Sequence, residues 1–187
     1  MHRSLRSGSL VVIALVALGG STRAQSLQRF SLQGSGAVLF ATREDPDFDS
    51  KTRLGFEAQA RYTFGRFSLG AGYQRSTVFA FPDNPLTLAL SFSFVEPRHV
   101  LAAGSGIAWY LAGRVGGGEI VCSIRESCPD QSIKLGYGGG TGLLFLLSRR
   151  LSADLGAQFF QAPALSGPGG SVSSGYAMVR AGLSLGL

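Results

Sequence analysis

The sequence predicts an all-β fold, an eight-stranded antiparallel up-and-down transmembrane β-barrel. Three observations lead there. From Leu54 to Phe64 the chain alternates strictly, with Leu54, Phe56, Ala58, Ala60, Tyr62 and Phe64 on one side and Gly55, Glu57, Gln59, Arg61 and Thr63 on the other. A side-chain period of two belongs to a strand, here with one apolar and one charged face. Segments of this kind recur to the end of the chain behind an export signal, and helical periodicity is almost missing. Finally, 27 glycines and the lack of a long apolar run after the signal exclude a helical membrane protein. A spanning strand needs only about 9–11 residues, and strands can span lipid only as a closed barrel. The apolar faces then meet lipid and the charged faces the lumen.

The first element is the signal. His2, Arg3 and Arg6 precede the apolar run Leu10–Leu18, and Thr22-Arg23-Ala24 offers a peptidase site. Residues 1–24 therefore read as a signal peptide cleaved after Ala24, and 25–187 as the barrel domain. At 1.5 Å per residue the apolar run covers only about half of a roughly 30 Å hydrocarbon core, too little for a spanning helix. Loss of Arg3, Arg6 and Arg23 lowers the net charge from +6 to about +3. The arginines left are scattered, with no basic stripe and no nucleic-acid motif.

Eight strands are expected: Gln28–Ala41, Arg53–Phe64, Phe67–Phe79, Leu86–Val95, Val100–Arg114, Ser132–Leu147, Leu151–Gln161 and Gly175–Leu187. Short connections at Gly65-Arg66, Glu96-Pro97-Arg98-His99 and Ser148-Arg149-Arg150 interleave with longer ones at Thr42–Thr52, Ala80–Pro85, Val115–Gln131 and Ala162–Ser174. That alternation is what an up-and-down barrel with both termini on one side requires. The expected lipid face includes Phe30, Leu32, Phe67, Leu69, Ile107, Trp109, Leu111, Phe159, Val179 and Leu183. On the fourth strand it takes Leu88, Leu90, Phe92 and Phe94. Aromatic girdles are expected from Phe64, Phe67, Phe92 and Phe94 at the short turns, and from Phe40, Tyr73, Phe79 and Trp109 at the other end.

The opposite face holds the candidate site, a lumen polar network of Glu57, Arg61, Lys134, Asp154 and Arg180, with Gln33, Gln59, Arg114 and Gln158 in phase. Eight strands leave a lumen that side chains just fill, and unpaired charges there are costly. Glu57 and Asp154 should therefore pair with some of Arg61, Lys134 and Arg180. Gly136, Gly138, Gly140 and Gly142 share this phase and leave room for bulky neighbours such as Tyr110, Phe160 or Met178. They match no nucleotide fingerprint. Cys122 and Cys128 lie in one long loop of an exported chain, and a disulfide is expected between them; a metal site would need further ligands.

The last strand carries Arg180, Gly182, Leu185 and Leu187 in a polar–x–Gly–x–x–apolar–x–apolar pattern. This resembles the C-terminal assembly signal of bacterial outer-membrane barrels, with Leu187 where those usually end in Phe. The chain looks like the small eight-stranded family of the OmpA transmembrane domain, OmpX and OmpW. The resemblance implies an outer-membrane location, with lipid, lipopolysaccharide and the barrel-assembly machinery as partners and an unknown surface ligand for the long loops. It implies no cofactor and no metal.

Catalysis is not expected. His99 is the one histidine after the signal, and Ser91 and Ser93 are the serines nearest to it in sequence on the preceding strand. Two functions stand: a structural or surface-interaction barrel, and a narrow channel or lateral-exit transporter for small solutes, apolar ones included. Interlocked lumen charges favour the first; an open lumen lined by Arg61 and Arg180 favours the second. A soluble lipocalin-like barrel would instead turn Leu88, Leu90, Phe92 and Phe94 inward.

Overall fold

The computed structural model describes residues 29–41, 53–80, 87–122, 133–161, 165–167, 170–172 and 175–187. The signal residues 1–24 and the segments 42–52 and 81–86 lie outside the described residues. Eight long strands form the barrel: β1 (Phe30–Ala41), β2 (Arg53–Phe64), β3 (Phe67–Ala80), β4 (Thr87–Gly104), β5 (Ile107–Cys122), β6 (Lys134–Leu146), β7 (Leu151–Gln161) and β10 (Gly175–Gly186). The short strands β8 (Leu165–Gly167) and β9 (Gly170–Val172) pair as a separate hairpin in the last long connection. Every neighbouring pair is antiparallel, and the ring closes in the order β1-β10-β7-β6-β5-β4-β3-β2. Closure comes from β1 on β10, from Ser31 opposite Gly186 to Ala41 opposite Tyr176. The barrel has no open edge, which hydrocarbon demands of backbone polar groups.

The period-two pattern sets the two surfaces. Outside stand Phe30, Leu32, Phe56, Leu69, Leu111, Phe159 and Leu183, each about half exposed, and inside stand Glu57, Asp154 and Arg180, each 2 % exposed or less. The surface is inverted relative to a water-soluble domain, with large apolar side chains outside and ions within.

The fourth strand departs from the expected boundaries. Glu96-Pro97-Arg98-His99 is no turn: β4 runs through it for 18 residues and turns at Ser105-Gly106. Both turn residues have positive φ (48° and 83°), the signature of a tight two-residue hairpin. Pro97 suggested a break because it lacks an N–H. The strand tolerates it because the ladder to β5 lapses at Glu96 and Pro97, then resumes in unchanged register at Arg98 opposite Ala112. Gly113 leaves space beside the proline ring, whose Cγ a side chain there would approach at 3.9 Å. The expected loop Val115–Gln131 shortens accordingly, since Val115–Cys122 belongs to β5.

A β-bulge between Val100 and Ala102 sets the phase of the rest of β4. Leu90, Phe92 and Phe94 point into the lumen, with Phe92 fully buried, while Ser91, Ser93, Val95 and Pro97 take the outer face. The side chain of Leu88 is outside the described residues. Trp109, two residues after the strand β5 begins, stands outside at the short-turn end and not at the far girdle.

The inward apolar residues form two layers. Leu39, Leu90, Phe92, Phe94, Phe160, Tyr176 and Met178 pack toward the long connections, with Phe92 and Phe160 edge to face at 4.7 Å. Val100, Ala108, Tyr110 and Ala112 pack near the short turns, with Leu144 against them. Gly136 makes the first layer fit: a Cβ there would lie 2.8 Å from Phe160 and 2.9 Å from Phe92. Gly142 does the same for Tyr110, whose Cζ would be 2.5 Å away. A glycine wall facing aromatics is the packing expected for Tyr110 and Phe160.

Candidate functional site, an ionic cross-bracing of the lumen

Between the two apolar layers lies a layer of charge. Glu57 and Gln59 come from β2, Glu96 and Arg98 from β4, Arg114 from β5, Asp154 and Gln158 from β7 and Arg180 from β10. All are inward by phase and buried. Arg61 joins them from the short-turn side of β2, and Gln33 from β1.

Glu96 is the hub. Its Oε1 accepts from Arg61 Nη2 at 2.8 Å, from Arg98 Nε at 2.7 Å and from Arg180 Nη2 at 3.0 Å. Its Oε2 accepts from Arg114 Nη2 and Nε, from Arg180 Nη1 at 2.8 Å and from Gln158 Nε2 at 3.1 Å. A fully desolvated carboxylate is tolerable only when its lone pairs are engaged this way. Arg180 and Glu96 sit on β10 and β4, four places apart in a ring of eight. Their ion pair therefore spans the diameter of the barrel.

The other carboxylates brace further chords. Asp154 on β7 accepts from Arg98 Nη1 on β4 at 2.6 Å, from Tyr110 Oη at 2.7 Å and from Gln33 Nε2 at 3.0 Å. Glu57 on β2 accepts from Arg180 Nη1 at 3.0 Å and from Gln59 Nε2 at 3.1 Å. Arg114 Nη2 adds a charge contact 2.8 Å from Glu57 Oε2, at an angle that makes no hydrogen bond. Two guanidinium groups also cap aromatic rings at the layer boundaries: Arg98 lies 4.4 Å from the centroid of Tyr110 and Arg114 lies 3.8 Å from that of Phe94. Such cation–π stacking lets the ionic and apolar layers meet without leaving charge against bare hydrocarbon.

Four of the five expected network residues, Glu57, Arg61, Asp154 and Arg180, come together here. Lys134 does not. It is half-buried near the start of β6, opposite Gly118 and four residues before the Gly138 that faces Arg114. Arg98 and Arg114 take the partners expected of it. Glu96 and Arg98 are absent from the expected set because the sequence predicts a turn over Glu96-Pro97-Arg98-His99. Ser105-Gly106 was the overlooked signal, a turn dipeptide between two apolar strands. With the turn there, β4 runs on through Glu96 and Arg98, and the β-bulge between Val100 and Ala102 turns their side chains into the lumen.

The other expected sites are placed as follows. Gly182 stands inward against Ser35, whose Cβ a side chain there would meet at 2.8 Å. Leu185 and Leu187 face outward, about half exposed or more. The backbone of Cys122 ends β5, but its side chain and all of Cys128 lie outside the described residues. His99 is inside β4, outward, with its ring 4.4 Å from that of Phe67. Ser93 is six residues away along the strand, roughly 20 Å at 3.4 Å per residue, so the serine–histidine set does not assemble. Among the described residues, no group of His, Cys, Asp and Glu could hold a metal ion.

Closed strands, an apolar exterior and a cross-braced ionic interior define a small β-barrel of the membrane-spanning class. Comparison with solved structures places it more narrowly, by fold. Neisserial surface protein A (NspA) matches with a TM-score of 0.68 at 15% identity, over 84% of this chain and 97% of its own. Ail, the attachment invasion locus protein of Yersinia pestis, matches with a TM-score of 0.50 at 15% identity, over 83% and 96%. The N-terminal β-barrel domain of Pseudomonas aeruginosa OprF gives 0.50 at 11%, over 84% and 98%. No protein-family model and no curated protein matches the sequence. The chain thus shares the architecture of the small eight-stranded outer-membrane barrels, at identities where the likeness is one of fold.

Proposed function

We propose that this chain is an integral outer-membrane protein, exported with loss of residues 1–24, that neither conducts nor catalyses and acts at the cell surface through its long connections. The observation that carries this is the Arg180–Glu96 pair across the full diameter of the lumen, within a layer whose members are 8 % exposed or less. A solute path would have to break several buried charge pairs at once, each costly to leave half-made. β10, with Arg180, Gly182, Leu185 and Leu187, is the strand the assembly machinery would engage. Cys122 and Cys128 close a disulfide in the third long connection, and lipopolysaccharide is the lipid met by the surface segments.

Single-channel recording on the refolded barrel in planar bilayers, with heat-modifiable gel migration as the check on folding, tests the proposal. A folded barrel giving no unitary currents agrees with it. Steady currents from the unmodified folded barrel would overturn it in favour of the narrow channel.

A further inference from the structure

The acids outside the lumen gather at one end, whereas cations stand at both, with Arg53, Arg75 and Lys134 among the described residues toward the long connections. At the short-turn end stand Arg29 before β1, Arg66 in the β2–β3 turn, and Arg149 and Arg150 between β6 and β7, all exposed. The short turns themselves contain no Asp or Glu. The acids not in the lumen (Glu44, Asp45, Asp47, Asp49, Asp83, Glu119, Glu126 and Asp130) all belong by sequence to the long connections or to the strand end leading into one.

Directly next to these arginines runs a belt of rings on the outer wall. Phe30, Tyr62, Phe64, Phe67 and His99 follow one another across β1 to β4 at centroid spacings of 6.1, 6.3, 6.1 and 4.4 Å. Trp109 extends the same level on β5. Aromatic belts mark the boundary of the hydrocarbon, so side chains one turn beyond it lie among the head groups. Long cationic side chains there reach phosphates while their stems stay on the apolar wall.

We propose that the short-turn rim is a binding collar for anionic phospholipids, its arginines holding the lipid phosphates and the aromatic belt holding the adjoining acyl chains. This rests on the outer-membrane reading above, in which short turns face the periplasm; the lipids are then those of the periplasmic leaflet. Attraction of cationic side chains to an anionic leaflet is additive over a few residues and is screened by salt.

Trp109 is the only tryptophan. It faces outward at this end of the barrel, so the unmodified protein carries its own probe. The refolded barrel in phosphatidylcholine vesicles is titrated with brominated phosphatidylglycerol or brominated phosphatidylcholine, and quenching of Trp109 is read. The expected result is a severalfold stronger apparent association for the anionic lipid. It should be lost in 0.5 M salt and in R29Q/R66Q/R149Q/R150Q. Equal quenching by the two lipids at low salt would overturn the collar while leaving the barrel reading intact. Quenching by neither lipid, with no heat-modifiable band, would overturn the barrel reading itself. No lipid preference, but arginine-dependent sedimentation with peptidoglycan, would also overturn it and move the collar's partner to the cell wall. If the fourfold variant does not fold, the salt dependence of the unmodified protein still decides.

Discussion

Two neighbouring layers of the same lumen are built on opposite principles. Toward the long connections, Leu39, Leu90, Phe92, Phe94, Phe160 and Met178 fill space, and any side chain of similar volume serves nearly as well. One layer below, Glu96 is engaged by four arginines at once, and none of them can be replaced without leaving a buried charge unmatched. A single strand supplies both: β4 contributes Leu90, Phe92 and Phe94 to the first layer, then Glu96 and Arg98 to the second. The apolar layer is tolerant filling, and the ionic layer fixes which walls are tied to which.

Substitutions should separate the two. The largest effect is expected from Glu96→Ala, which strips the hub from Arg61, Arg98, Arg114 and Arg180. Urea unfolding in vesicles, followed by Trp109 fluorescence, should show a loss of about 3–5 kcal/mol. Any current the variant admits should favour anions, because the described cluster then keeps four guanidinium groups against Glu57 and Asp154. Next, Val95→Arg places a cation on the outer wall at mid-strand, where Val95 is 42% exposed. The expected cost is about 2–4 kcal/mol in the same assay. A cost near zero would mean that Val95 does not face lipid and that β4 has the opposite phase. Phe92→Leu, in the apolar layer, should cost less than about 1.5 kcal/mol and admit no current. Smallest is Ser91→Ala, which removes only the exposed hydrogen bond from Tyr73 Oη at 3.0 Å. A change below about 1 kcal/mol is expected.

The contrast between the layers also explains what was legible. Strands β1, β2, β3, β7 and β10 could be placed because charge marks one face of several of them and short turn signals bound them. Glu57, Arg61, Asp154 and Arg180 advertised their lumen phase, since charges do not face hydrocarbon. On β4 the signal is ambiguous. Its apolar residues alternate with Ser91 and Ser93, and both lipid and a filled lumen accept leucine and phenylalanine. Pro97 then suggested a break that a lapse in one ladder accommodates. The pairing of Glu96 with Arg180 was illegible for a further reason. The two residues are 84 apart in sequence, and only barrel closure in a definite register brings β4 opposite β10.

The most direct test of this account is a double-mutant cycle on that pair, with Glu96→Gln, Arg180→Met and the double variant compared for unfolding free energy in vesicles. Residues in contact within one buried network are coupled by about 0.5–3 kcal/mol, and the account predicts coupling of at least about 1 kcal/mol. If Glu96 instead sat in an exposed turn, the two effects would add to within about 0.5 kcal/mol. Additivity of that kind would contradict the cross-braced lumen.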